Sequence, residues 1–429
     1  MNKQLSINQP WPKEVWIGWF SSTAEAYNMA IYSFTAPFLA GKLFSSENST
    51  TALFFSYALV LLAAGVFYPL GALYFGTLGD REGRQKICVA STLGLALATG
   101  LLGLIPFGEW TWVGFLGLIC AQYFFSGGEY HSSIVFSLEH GEGNKAGVLS
   151  ALSCLFAVFG LAAANGLANL TFSNSTLMGI RFCFLLGAAG GLLSYLLKNH
   201  CSETPPFRQL EKQSFVSWWA FLKEEWAKIL YGVSLLAFFL VSYNFIFIFL
   251  PLLPLGQGAA FDTFKALFAY GVLLVVSGWL ADKFGLRKVI LAGLASFAFI
   301  AVPLTLVSTN LLILQITFTL CACLTIGPLH SGMLNLFEVQ NRCRGIFWSS
   351  AIATALFCGS TTPICLALFE RFHSVPLCAL YPTLIAFSAL ICALWYHRRS
   401  YDNACLEASE HFAWQSGGAD QERQPTSRM

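Results

Sequence analysis

The chain has 429 residues, of which 56% are apolar, 15% aromatic and only 11% charged, with a formal net charge of +2. A soluble domain carries about 25% charged residues, so this composition excludes a water-soluble enzyme or scaffold and puts the chain in lipid. The basic residues are scattered over short segments, which gives no footprint for nucleic acid or an acidic partner.

Apolar runs of the roughly 20 residues needed to cross a bilayer fall at 16–41, 51–79, 86–106, 111–139, 145–170, 179–198, 227–253, 261–283, 287–308, 310–336, 342–369 and 376–397. None alternates with period two, so they predict helices rather than barrel strands. If they alternate across the membrane, all 24 Lys and Arg except Lys42, Arg181, Lys265 and Arg371 fall on one side. The positive-inside rule makes that side cytoplasmic, with both termini there. The setting is a bacterial-type inner membrane.

The residues after Pro10 and Pro12 run straight into a full-length span with no small-residue cleavage site, so the first span itself is expected to target the chain. That span carries Ser21, Glu25, Asn28 and Tyr32 at spacings that share one helix face. The second span ends in Gly76-Thr-Leu-Gly-Asp80-Arg81-Glu-Gly83-Arg84-Gln-Lys86. Its small residues allow close helix approach, Gly83 permits a tight reversal, and Arg81, Arg84 and Lys86 are expected to face cytosol and lipid phosphate. The fourth span carries a second polar stripe, Gln122, Ser126, Glu129, Ser133 and Ser137, with Glu139 near its cytoplasmic end as a gate ion-pair residue. Running in opposite directions, Glu25 and Glu129 come to similar depths, so both are candidates to load and release a proton.

Residues 199–226, with Pro205 and Pro206, form a linker between a bundle at 1–198 and a second at 227–400. Its later part, 214–228, reads as an amphipathic helix lying at the interface. In the seventh span Asn244 stands beside Tyr243, Phe245 and Phe247, which together suit an aromatic cage for a quaternary ammonium group. The eighth ends in a repeat of the earlier turn, Gly278-Trp-Leu-Ala-Asp282-Lys283-Phe-Gly285-Leu-Arg287-Lys288. Two copies at matching places predict a pair of cytoplasmic latches, each Asp pairing with or capping a helix of the other half. Ala281 and Leu286 rank the second copy below the first. His330 follows the helix-kinking Pro328 and is read either as a proton or anion site or as a ring bonded to freed backbone carbonyls. Arg342 and Arg344 open the eleventh span as gating partners, and the polar tail at 401–429 is expected to be disordered. The thirteen cysteines form no paired framework and read as small apolar residues.

The duplicated turn, Glu25-Ala-Tyr-Asn28-Met-Ala-Ile-Tyr32, Ser126-Gly-Gly-Glu129-Tyr130, Arg181-Phe with Glu203-Thr-Pro205-Pro-Phe207, and Gly327-Pro328 followed by Arg342-Cys-Arg344-Gly345 together resemble a major facilitator superfamily transporter. Within it they resemble the metabolite:proton symporter family of proline/betaine, oxoglutarate, citrate and shikimate carriers. The resemblance implies twelve transmembrane helices in two six-helix bundles related by a pseudo-twofold axis, with helices 1, 4, 7 and 10 lining a central cavity. It also implies alternating-access symport of a small polar metabolite with protons, by a monomer without cofactor, metal or enzymatic activity. An uncoupled facilitator and a non-transporting sensor are the alternatives. The family's acidic residue is Asn28 here, and its Arg positions are Tyr68 and Ile119. Substrate identity therefore does not carry over.

Overall fold

The computed structural model describes residues 11–43, 60–106, 108, 110–141, 145–172, 177–210, 217–253 and 259–421. Its long helices are α1 (Lys13–Leu43), α2 (Val60–Glu82), α3 (Arg84–Leu104), α4 (Thr111–His140), α5 (Ala146–Phe172), α6 (Leu177–Asn199), α7 (Trp218–Leu252), α8 (Ala259–Phe284), α9 (Leu286–Val307), α10 (Leu311–Leu334), α11 (Val339–Phe372) and α12 (Val375–Gln421). Ten of them are long and apolar enough to cross a membrane by length and composition; α1 and α4, which carry the two polar stripes, are not among the ten. The predicted start of the second span, at residue 51, lies outside the described residues.

Helix pairing repeats between the halves. α1 packs on α4, α5 and α6, α3 on α4 and α6, and α2 on α4; α7 packs on α10, α11 and α12, α9 on α10 and α12, and α8 on α10. Raising each number in the first set by six gives the second set, as an internal pseudo-twofold requires. The bundles meet along α2–α11 and α5–α8, which the same operation exchanges. At the α5–α8 crossing a Cβ on Gly147 would stand 2.4 Å from the Gly278 carbonyl oxygen, and one on Gly278 2.5 Å from that of Gly147. Gly278→Val is therefore expected to weaken this interface by about 1–3 kcal/mol through overpacking. Faster amide exchange at Gly147 and Val148, read by mass spectrometry, checks it.

Gly83 and Gly285, the reversals between α2 and α3 and between α8 and α9, take φ of 111° and 97°, the region where only glycine is unstrained. With Arg81, Lys86, Arg287 and Lys288 nearby in sequence, these turns define a basic face of the molecule.

Two expectations are corrected. Trp218 onward is the first part of α7 rather than a separate interfacial helix, because the Ser217 hydroxyl caps Ala220 and nothing breaks the run to Asn244. The tail does not leave helix at 401 but continues to Gln421, since Ala404, Leu406, Glu407 and Ala408 favour helix and the next proline is Pro425. Three helices are irregular. α2 contains a π turn at Ala63–Phe67, α7 one at Phe245–Phe249, and α10 is interrupted at Gly327 and Pro328.

Candidate functional site

Both copies of the repeated turn reach across the bundle interface. Asp80 accepts hydrogen bonds from the amides of Cys343 and Arg344, at 3.1 and 2.9 Å, one on each carboxylate oxygen. Asp282 accepts from Gly147 and Val148 in the same two-pronged way, at 2.6 and 2.9 Å. These amides open α11 and α5, where free N–H groups and the helix dipole favour a carboxylate. The second copy is thus not the weaker one. Ala281 and Gly278 are small enough to bring α8 onto the α5 backbone, and its bonds are as short as those of the first. Gly76 lets α2 approach α11, its would-be Cβ lying 2.7 Å from Phe347.

Arg84 is also corrected: it is fully buried rather than turned to lipid phosphate. Its guanidinium bonds the Gly79 carbonyl at 3.0 Å and the Val339 carbonyl, lies 3.5 Å from both Asp80 and Glu139, and stacks 4.7 Å over Phe207. Glu139 in turn accepts from Arg342 at 2.7 Å. Arg344 bonds Asn341 at 2.6 Å, lies 4.0 Å from Asp80 and stacks 4.2 Å over Phe221. Arg81, Arg287 and Gly285 are exposed at the turns. Glu203, which sequence reasoning noticed only as part of a motif, accepts from the Arg84 and Gln85 amides at 3.1 Å and caps α3. Further bonds join the bundles at this face: Ser150 donates to the Gly327 carbonyl at 2.7 Å and accepts the His330 amide, and Ser331 donates to the Ala146 carbonyl. Between them lies a cavity of about 170 Å³ lined in part by Leu138, Leu149, Ser331, Asn335 and Arg342.

Deeper in, the two predicted carboxylates part company. Glu129 accepts from Ser21 (2.6 Å), Ser91 (3.0 Å), Thr92 (2.5 Å), Ser133 (2.8 Å) and the Lys198 ammonium (2.6 Å). Lys198 also reaches Thr92 at 2.9 Å and Ser133 at 2.7 Å, so all three of its protons are placed. The sequence puts Lys198 at the last position of the sixth span, among the basic residues of the cytoplasmic side. Instead it is completely buried at the end of α6, because α1, α3 and α4 surround it with hydroxyls. Glu129 is thus held by an ammonium and a ring of hydroxyls rather than by a single hydroxyl. α4 also runs unbroken through Gly127 and Gly128, so no free helix end contributes. Glu25 keeps a simpler setting: its Oε1 accepts from Ser126 at 2.6 Å.

Asn28, Gln122 and Tyr32, also on the stripes, are buried between helices. Asn28 is wedged into the groove that Gly187 and Gly191 open in α6, its Oδ1 2.2 Å from a would-be Cβ on Gly187, and neither side-chain polar atom has a hydrogen-bond partner among the described residues. Gln122 spans from α4 to the Asn28 carbonyl (2.7 Å) and Thr99 (3.0 Å). Gln315 of α10 makes the counterpart bond in the second bundle, to the Ile246 carbonyl of α7 at 2.9 Å. Gln122 is therefore one of a repeated pair of helix brackets. Tyr32 is buried with its ring 6.4 Å from Phe115. Tyr68, at a family Arg position, places its hydroxyl 3.0 Å from Ser350 and 3.4 Å from His131 Nδ1.

In the second bundle Asn244 bonds back to the Leu240 carbonyl at 2.8 Å and is no part of a cage. Phe245 packs on Phe249 and Phe318. The rings that do group are Tyr243, Phe247 and Tyr270, with centroids 5.2, 5.3 and 6.4 Å apart. His330 Nε2 lies 3.4 Å from the Tyr130 hydroxyl, across the interface, rather than on a backbone carbonyl.

No protein-family model matches the chain. It is 25% identical over 424 residues to the glycine betaine/proline/ectoine/pipecolic acid transporter of Dickeya dadantii, covering 86% of this chain and 80% of the relative. It is 26% identical over 412 residues to an inner membrane metabolite transport protein of Escherichia coli, covering 88% and 92%. Among solved structures, a major facilitator superfamily proton:xylose symporter superimposes with a TM-score of 0.70 at 16% identity, covering 88% of this chain and 94% of that one. The chain has the major facilitator superfamily fold and is related over most of its length to bacterial metabolite transporters.

Proposed function

We propose that this chain is a secondary transporter that carries a small polar metabolite across a bacterial inner membrane by alternating access, in symport with protons. The basic face and both termini lie in the cytoplasm, as the positive-inside rule requires. The observation that carries the reading is the matched pair of carboxylate latches, Asp80 on α11 and Asp282 on α5. Two equivalent, breakable bonds at one face of a pseudo-twofold molecule are what a rocking closure needs, and they leave the structure shut on the cytoplasmic side.

Glu25 is the proton carrier in this reading. It is a buried carboxylate on the polar face of α1, and among the described residues no cation is bonded to it. The relatives' printed substrates, betaine, proline and ectoine, are zwitterions. A cationic nitrogen of that class suits Tyr243, Phe247 and Tyr270 through cation–π attraction, worth about 2 kcal/mol once desolvated. Uptake of labelled glycine betaine, proline and ectoine into proteoliposomes, with and without an inward proton gradient, tests the function. Glu25→Gln is expected to lose at least about tenfold in gradient-driven accumulation while keeping substrate counterflow. Accumulation that survives the substitution would remove Glu25 from the coupling role.

A further inference from the structure

Four rings plug the interface between Glu25 and the basic-face cavity. Along α4, Ser126 holds Glu25, Tyr130 and His131 come next, and Leu138 already lines the cavity. Tyr130 and His131 meet His330 of α10 and Phe347 of α11. Centroids lie 4.8 Å apart for Tyr130–His131, 5.8 Å for Tyr130–His330, 6.0 Å for His131–His330 and 5.9 Å for His131–Phe347. The two imidazoles are only 3% and 2% exposed. They belong to opposite bundles, so their contact exists only while this face is shut.

Among the described residues no carboxylate is bonded to either ring of the pair. From α2 it meets the Tyr68 hydroxyl at 3.4 Å, and from α4 the Tyr130 hydroxyl at 3.4 Å. α11 presents Phe347 and, through Tyr68, the Ser350 hydroxyl; α5 presents Ser150, which holds the His330 amide, and the thiol of Cys154. Tyr270 is the nearest titratable side chain of α8. Of the nearby carboxylates, Glu129 is paired with Lys198 and Glu25 accepts from the Ser126 hydroxyl, and neither is bonded to the two rings. His131 Nε2 has no hydrogen-bond partner among the described residues.

Two uncharged rings are compatible with this contact. A proton on either would place a cation in a buried contact with no counter-ion bonded to it among the described residues, and a proton on both would add like-charge repulsion across 6.0 Å. Parting the bundles wets both rings and removes these penalties. We propose that the His131–His330 contact is an acid-sensitive seal, which closes the basic face only when both rings are neutral and yields when either is protonated. This rests on the alternating-access reading and adds regulation to it. Acid in the basic-face compartment holds the carrier open towards that compartment and slows its return, so a proton-importing carrier restrains itself as that side acidifies.

The latch amides report the seal directly. With imidazole titrating near pH 6.5 when wet, a fall from pH 7.5 to 5.5 favours the open form about tenfold for each ring. Exchange of the amides of Gly147, Val148, Cys343 and Arg344 in the full-length protein in nanodiscs, corrected for intrinsic rates, is therefore expected to rise at least about tenfold over that range. His131→Gln combined with His330→Gln should flatten the profile. His330→Phe, which keeps a ring in the plug, serves if the double variant does not fold, and should at least halve the rise. A flat wild-type profile overturns the seal, and so does a wild-type rise in the variants, which would assign the acid response to Asp80, Asp282 and Glu139. The readout needs neither substrate nor gradient. A flat profile in protein that transports rejects the seal alone, whereas a His-dependent rise in protein that moves no metabolite rejects the transport reading alone.

Discussion

Lys198→Met is expected to destabilise the first bundle by about 3–5 kcal/mol, the usual penalty for leaving one partner of a buried ion pair uncompensated. Glu129 would retain the hydroxyls of Ser21, Ser91, Thr92 and Ser133 around it but lose the one cation it touches among the described residues. The reverse change, Glu129→Gln, leaves the ammonium with neutral acceptors alone, the amide oxygen and the Thr92 and Ser133 hydroxyls. Joining Lys198→Met to Glu129→Leu should recover most of the loss, because the Ser91 and Thr92 hydroxyls have the Ile87 and Cys88 carbonyls within reach as alternative acceptors. The unfolding temperature of the purified variants in detergent measures all three. The pattern separates two roles for Glu129. A structural carboxylate gives unstable single variants and a rescued double, whereas a proton carrier gives stable single variants that fail only in coupling. Equal stability of Lys198→Met and wild type would reject the structural role.

That network marks where sequence reasoning stops. The polar stripes of α1 and α4 were legible because helical spacing puts Ser21 with Glu25 and Ser126 with Glu129 on single faces. What each stripe faces was not. Lys198 closes an apolar run, so the positive-inside count groups it with the exposed basic residues of that side, and the Ser91 and Thr92 that draw it inward sit on an otherwise apolar helix with no signal of their own. Asn28 and Gln122 share a face with Glu25 and Glu129, yet a glycine groove in α6 and a neighbouring carbonyl claim them. His131 lies two positions beyond Glu129, off the stripe, and gains meaning only from His330, 199 residues away on another bundle. The latch turns were readable for the opposite reason. Duplication supplies an internal comparison, and a conformationally demanding turn restricts residue choice at Gly83 and Gly285. The ranking of the two copies failed because it weighed local identity, while the bond depends on how near α5 lets α8 approach.

Asp80→Asn and Asp282→Asn should each weaken closure by about 1.5–3 kcal/mol, the range for hydrogen bonds to a charged group. The geometry explains why asparagine is no substitute. Each carboxylate uses one oxygen on each of two successive amides, Oδ1 on Cys343 or Gly147 and Oδ2 on Arg344 or Val148. An asparagine offers one acceptor and turns an NH2 donor towards the second N–H. The charge that favours the helix N-terminus goes with it. Asp80 sits on the α2–α11 side of the interface and Asp282 on the α5–α8 side, with no shared partner, so the losses should add. The double variant is then shifted towards the open form by about 3–6 kcal/mol, more than a hundredfold. Leu149→Cys, in the wall of the basic-face cavity, provides the measurement through its reaction rate with a bulky maleimide, against a parent in which the same labelling is slow. Matched accelerations in the two single variants and a multiplied one in the double are the expected result. Acceleration by Asp80→Asn alone would mean that only one side of the pseudo-twofold holds the bundles together, and unchanged labelling in all three would deny the carboxylates any part in closure.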